Sequence, residues 1–126
     1  MGNRAVVSFG TSPKSPALYF HWNGGRASIV GFMAACRELE CHSIDDIEFA
    51  LRPWFGRITL YRETVESADK NNGDNGWYIL SSDLEIATRR YAPRSEEHDA
   101  DKTQAIKAEI IASNLGHCRY SFAREA

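Results

Sequence analysis

Residues 18–26, Leu-Tyr-Phe-His-Trp-Asn-Gly-Gly-Arg, gather an imidazole, an indole, an amide, two glycines and a guanidinium into one short run. An aromatic strand here passes through Gly24 and Gly25 straight into the start of an amphipathic segment. The first amides of a helix have no intrahelical acceptor, and glycine permits both positive φ and close approach of a ligand to the backbone. The chemistry this supports is anion binding, with amides as donors, Arg26 as the charge, and Asn23 or His21 orienting the ligand. The candidate ligand-binding residues are therefore His21, Trp22, Asn23, Gly24, Gly25 and Arg26, joined by Asp74 and Asn75 from a later Asn-Gly-rich loop. The glycine spacing matches neither the phosphate loop nor the dinucleotide fingerprint. The competing reading is a tight strand-to-helix turn in which Trp22 packs and Asn23 caps the helix.

Other groupings are less specific. Cys36, Cys41 and His42 lie close in sequence, and His117 with Cys118 could complete a thiolate-imidazole zinc site. The spacing is not that of a common zinc finger, and Cys36 falls on an apolar helical position that suits a buried thiol. The loop from Asp69 to Gly76 offers Asp69, Asn71 and Asp74 to a hard cation. An EF-hand needs glycine at its sixth position and glutamate at its twelfth, where this loop has Asp74 and Leu80. No metal and no cofactor is expected. Ser8, Ser12 or Cys41 can be combined on paper with His21, His42 or His117, but nothing selects a set and no Gly-x-Ser-x-Gly elbow is present. No catalytic residue is assigned, and the reading leans away from an enzyme.

With 126 residues and 14.2 kDa, the chain has room for one core, and the expectation is a single α+β domain spanning 1–126. Net charge is −2, with 7 basic and 6 acidic side chains in residues 1–63 against 8 and 11 in residues 64–126. Nucleic acid is not favoured as a partner, because the only basic clusters are Arg52, Arg57 and Arg62, and Arg89, Arg90 and Arg94. Three cysteines without a secretory signal point to reduced thiols. No run approaches the roughly 18 apolar residues of a membrane span, so the expected compartment is the cytoplasm, with no membrane partner.

Residues 4–9 and 17–22 read as an antiparallel hairpin, joined by a Pro-rich loop at 10–16 that is a candidate mobile flap. Ile29, Phe32, Met33, Cys36 and Leu39 mark one face of a helix over 26–40. Ser43 caps a second helix that ends near Pro53 to Gly56, with acidic residues in its first turn. Segments 57–65, 77–81 and 84–91 read as strands, most simply a β-meander, the last with Leu84, Ile86 and Thr88 on one face and Glu85 and Arg89 on the other. A final helix spans about 101–115, with Ile106, Ile110 and Ile111 towards the core. The sum is a mainly antiparallel sheet of about five strands, with about three helices packed on one face.

Asn3-Arg4-Ala5-Val6-Val7, then Leu18 to Arg26, and later Asp74-Asn75-Gly76 resemble small proteins commonly encoded in phages, prophages and other mobile elements. The His-Trp-Asn-Gly-Gly segment is the specific part, and the resemblance covers roughly the first 40 residues and the Asn-Gly-rich loop. The resemblance supplies a setting and no transferable activity; in that setting a compact, mildly acidic α+β chain with no catalytic signature is expected to act by binding, as an accessory protein that blocks a host factor in the manner of anti-CRISPR and other anti-defence proteins. On this reading the partner is a host protein, and the acidic residues Glu96, Glu97, Asp99 and Asp101 face a basic groove on it. The alternative is an anion- or nucleotide-binding protein or small enzyme using the His21–Arg26 junction, roofed by the loops at 10–16 and 69–76. A third is a structural or homo-oligomeric domain in which the glycine turn serves the fold alone.

Overall fold

The computed structural model describes residues 3–96 and 99–115. The class is α+β: five strands form one mixed, mostly antiparallel sheet, accompanied by four α-helices where about three were expected. Two strands, β1 (Ala5–Ser8) and β2 (Pro16–Phe20), form the expected hairpin, in antiparallel register from Ala5↔Phe20 to Ser8↔Ala17. Helix α1 (Arg26–Glu38) follows, ending where Glu40 turns left-handed at φ 62°. In α2 (Ile44–Ala50) the Ser43 hydroxyl accepts the Asp46 amide, the cap read from the sequence. Pro53 does not interrupt that helix; it sits in the first turn of a 3-10 segment, Arg52–Trp54, where its missing N–H costs nothing. This segment runs into α3 (Phe55–Ile58), so the strand expected from residue 57 begins only after the left-handed Thr59, as β3 (Leu60–Thr64).

The β-meander is not what forms. With β4 (Trp77–Leu80) and β5 (Ile86–Arg90), the sheet order is β3-β2-β1-β4-β5. β3 pairs antiparallel with β2, whereas β4 crosses to the far side of β1 and pairs with it in parallel. The alternation of side chains says which face a residue occupies but not which strand lies beside it, and β4 shows why neighbour choice went elsewhere. All four of its residues are buried, as a strand covered on both faces requires, while β3 is largely exposed and suits an edge. Ala87 is skipped in the pairing of β5, because Ile79 faces Thr88 and Leu80 faces Ile86. That bulge reverses the expected parity: Ile86 and Arg89 lie on the same face, Ile86 against the main core and Arg89 over the Tyr78 ring at 4.1 Å.

The main core lies between the sheet and the helices. Val7, Leu18, Phe20, Tyr78 and Leu80 from the strands meet Ile29, Phe32 and Met33 of α1 and Ile47 of α2. Helix α4 (Ala100–Leu115) packs along α1 through Ile106 and Ile110, while Ile111 is only half-buried. Gly31 permits this approach, since a Cβ there would stand 2.9 Å from the Thr103 carbonyl. The opposite face is covered by the chain after β3, where Val65 and Ala68 pack with Val6, Trp77 and Ile79. Among the described residues no helix is long and apolar enough to cross a membrane.

Candidate functional site

The strand-to-helix junction is built by three hydrogen bonds, two between backbone groups and one from a side chain. The Gly24 amide donates to the Asn3 carbonyl at 2.8 Å, its carbonyl accepts the Tyr78 hydroxyl at 2.8 Å, and the Ile29 amide returns to Gly25. Burial pushes the Tyr78 phenol up, which favours the protonated, donating form. The left-handed residue of the turn is Asn23, at φ 60°, not a glycine. Gly24 is needed for a different reason: a Cβ on it would stand 2.5 Å from the Asn3 carbonyl oxygen and 2.7 Å from the Ala5 Cβ. Asn23 does not cap α1 either. Its Nδ2 donates to the Arg57 carbonyl at 3.3 Å, and the N-cap is Gly25, which brings no side-chain hydrogen bond. Trp22, expected to pack in the turn reading, is 41% exposed.

The residues contiguous in sequence therefore separate in space. His21 Nδ1 hydrogen-bonds the Tyr19 hydroxyl at 2.9 Å, and its ring meets Trp22 edge-on at 4.8 Å and Tyr19 at 6.0 Å. Tyr61 of β3 extends this aromatic row by stacking on Tyr19. Asn23 borders another cleft with Trp54, Arg57, Glu109 and Lys102. Gly25 and Arg26 instead line a cleft of about 270 Å³ together with Asn3, Ser28, Asn75 and Glu96. Lys102 and Asp99 close it from the start of α4. A second cleft of about 250 Å³ adjoins it, sharing Arg26, Ala27 and Asp99 and continuing over Val30 and Thr103.

Asn75 joins this cleft through a side-chain hydrogen bond from its Nδ2 to Asn3 Oδ1. Asp74 does not. Its Oδ2 accepts the Arg4 amide at 3.0 Å and the Arg4 Nε at 2.7 Å, and this pairing holds its carboxyl below the usual carboxylate range while raising Arg4. Asp69 also approaches Arg4, at 3.9 Å, so two of the three oxygen groups considered for a cation already face a guanidinium. Loop 10–16 lies at the opposite end of the β1–β2 hairpin from the junction. It is tied to the sheet by the Val65 and Glu66 amides, which donate to Ser15 and Pro13. It cannot roof the glycine turn.

Acidic candidates divide similarly. Glu96 pairs with Arg89, whose other terminal nitrogen donates to the Asn75 carbonyl at 2.8 Å. Asp99 Oδ1 accepts the Lys102 amide at 2.9 Å and so caps α4, leaving Asp101 as an exposed first-turn residue. Glu97 lies outside the described residues, as do His117 and Cys118. Cys36 and Cys41 are both buried, with the Cys41 amide donating to the Cys36 carbonyl at 2.9 Å. A hydrogen bond with Cys41, reinforced by burial, raises the Cys36 thiol well above its ordinary value. Ser8 is occupied structurally, accepting Trp77 Nε1 at 2.8 Å and donating to the Gly10 carbonyl. The basic clusters are likewise dispersed into pairs, Arg57 with Glu109 and Arg62 with Asp45 and Glu48.

Sequence reasoning overlooked Asn3, Ser28 and Lys102. Ser28 had a legible signal, a hydroxyl at the third position of a helix whose cap residue has no side chain; the other two reach the cleft only through the crossing of the chain. No family model, curated protein or solved structure matches the chain significantly.

Proposed function

We propose that the chain acts by binding a protein partner: a small cytoplasmic accessory protein of a phage or mobile element that inhibits a host factor, of the anti-CRISPR or wider anti-defence kind. The mobile-element setting rests on the resemblance of the His-Trp-Asn-Gly-Gly segment. The observation that carries the binding is a set of exposed aromatic residues beside one edge of the sheet. Trp22 (41% exposed), Phe55 (40%), Phe49 (38%) and Tyr61 (54%) all lie on β3 or on segments next to it. The Trp22 amide donates to Ile58, one turn from Phe55, and Arg62 of β3 reaches Asp45 and Glu48 on the helix that carries Phe49. Among the described residues β3 itself is an edge strand. An unpaired strand edge flanked by aromatic side chains suits a protein partner, since Trp and Tyr dominate interface energetics and free edges accept another strand.

The acidic version of this reading is narrower than the sequence suggests, because Glu96 and Asp99 already serve Arg89 and the start of α4. The test is capture from host lysate by the tagged full chain, beside Trp22→Ala with Tyr61→Ala and, separately, Asp101→Lys. The expected result is one stoichiometric host protein, lost in the aromatic variant and kept in the charge variant. Loss in the charge variant alone replaces the aromatic surface with the acidic one. Capture of no host protein by the unaltered chain overturns the reading.

A further inference from the structure

We propose that the first turn of α1 is a phosphate-binding site, and that its ligand class is a small phosphomonoester. This goes beyond the protein-binding reading and uses a different face of the molecule. α1 has 13 residues, an N-cap without a side-chain hydrogen bond and no acidic residue in its first turn. Such an end keeps unpaired amides and the positive pole of the helix dipole. The independent observation is Ser28. It lines the cleft over this turn, its residue is 1% exposed, and among the described residues its buried hydroxyl has no hydrogen-bond partner. A buried hydroxyl without a partner is costly unless a ligand or water satisfies it. An oxyanion seated on the turn supplies the acceptor.

Charge decides the sign of the ligand. The cleft is bordered by Arg26, Lys102, Glu96 and Asp99. Glu96 is held by Arg89, and Asp99 is turned to the Lys102 amide, whereas among the described residues neither Arg26 nor Lys102 stands in an ion pair. The cations are thus left for the ligand, beside a helix N-terminus that adds positive potential. Size decides the class. About 270 Å³ lies just under the range of roughly 300–1,000 Å³ typical of small-molecule sites, too small for a dinucleotide but sufficient for a phosphate group. The adjoining cleft of about 250 Å³, with Ala27, Val30 and the stem of Thr103, offers a less polar place for a compact organic group carried on that phosphate.

The experiment titrates the full chain with inorganic phosphate and with phenyl phosphate, read by phosphorus NMR and by thermal melting. Both probes are expected to bind and to raise the melting temperature, phenyl phosphate the more tightly because it also fills the second cleft. Gly25→Asp supplies a cap carboxylate to the same amides, and room exists for it, with the nearest atoms to an added Cβ at 3.8 and 3.9 Å. It is expected to weaken both probes by about tenfold or more without lowering the melting temperature of the free protein. Ser28→Ala is expected to weaken them about tenfold through loss of a hydrogen bond to a charged group. Equal affinity for the two probes removes the phosphomonoester class and leaves inorganic phosphate. Absence of binding by either probe, or binding unchanged in Gly25→Asp or in Ser28→Ala, overturns the proposal. A host protein captured through the aromatic surface bears on none of these outcomes.

Discussion

Adjacent glycines at the junction should respond to substitution with opposite signs. A Cβ on Gly24 meets the Asn3 carbonyl oxygen at 2.5 Å and the Ala5 Cβ at 2.7 Å, and both neighbours belong to the chain at the start of β1, inside the sheet. Neither is the tip of a flexible side chain, so relief requires moving backbone. Overpacking of this kind costs about 1–3 kcal/mol. Displacement of the Gly24 carbonyl from the Tyr78 hydroxyl adds about 1 kcal/mol. Gly24→Ala is therefore expected to lose about 2–4 kcal/mol, which for a chain of this size lowers the melting temperature by roughly 8–16 °C. Gly25 has open space, an ordinary φ of −66° and an N-cap with no side chain. Gly25→Ser is expected to gain about 0.5–1 kcal/mol, part from the cap and part from a less flexible unfolded chain. Urea unfolding of the two variants followed by circular dichroism measures both. Shifts of the same sign and similar size would refute the argument that one glycine serves close packing and the other an open helix end.

Three further outcomes follow from the packing and charges. Gly31→Val should lose at least about 2 kcal/mol by forcing α4 off α1, where Thr103 and Ile106 already crowd the position; unchanged urea stability would contradict that crossing. Asn114→Leu should lose about 1–3 kcal/mol, because the buried Asn114 Nδ2 satisfies the Ala50 and Ile110 carbonyls at 2.8 Å each, again read by urea unfolding. Asp74, lowered in the folded state by Arg4, binds its proton less readily folded than unfolded. Its contribution is thus present above the ordinary carboxylate value of about 3.9 and lost as pH falls below it. Melting temperatures recorded from neutral to acid pH should fall less steeply in Asp74→Asn than in the unaltered protein over that acid window.

Most elements were legible because the signals were local. Ser43 before Asp45 and Asp46 announced a cap, and the spacing of Ile29, Phe32, Met33 and Cys36 announced a buried helical face, which all four residues occupy. Pairing was legible between β1 and β2 and between β4 and β5, but not for β3 or for the other side of β4. The order of the strands depends on β4 being buried on both sides, and that is set by what covers it: α1 on one face and residues 65–68 on the other. The bulge at Ala87 is a one-residue feature with no composition cue, and it overturns every face assignment beyond it. In the candidate site, Gly25 and Arg26 were recognisable from the glycine turn, and Asn75 from the loop. Ser28 belongs to the same first turn of α1, whereas Asn3 joins through the Gly24 amide and the Asn75 side chain, and Lys102 only because α4 begins beside that turn. His21 and Trp22, neighbours of Arg26 in the chain, leave it because strand geometry carries them into the aromatic row with Tyr19 and Tyr61.

The parallel pairing of β1 with β4 also bears on how the chain emerges from a ribosome. Once residue 64 has left the ribosome, β1, β2, β3, α1 and α2 are all available to assemble, yet one side of β1 has no partner until residues 77–79 arrive. The half-made sheet thus carries a bare edge along Val6, Val7 and Ser8 throughout synthesis of the intervening loop. That edge is open to mispairing with another nascent chain until β4 docks, after which β5 pairs with β4 and α4 packs along α1 to complete the described fold.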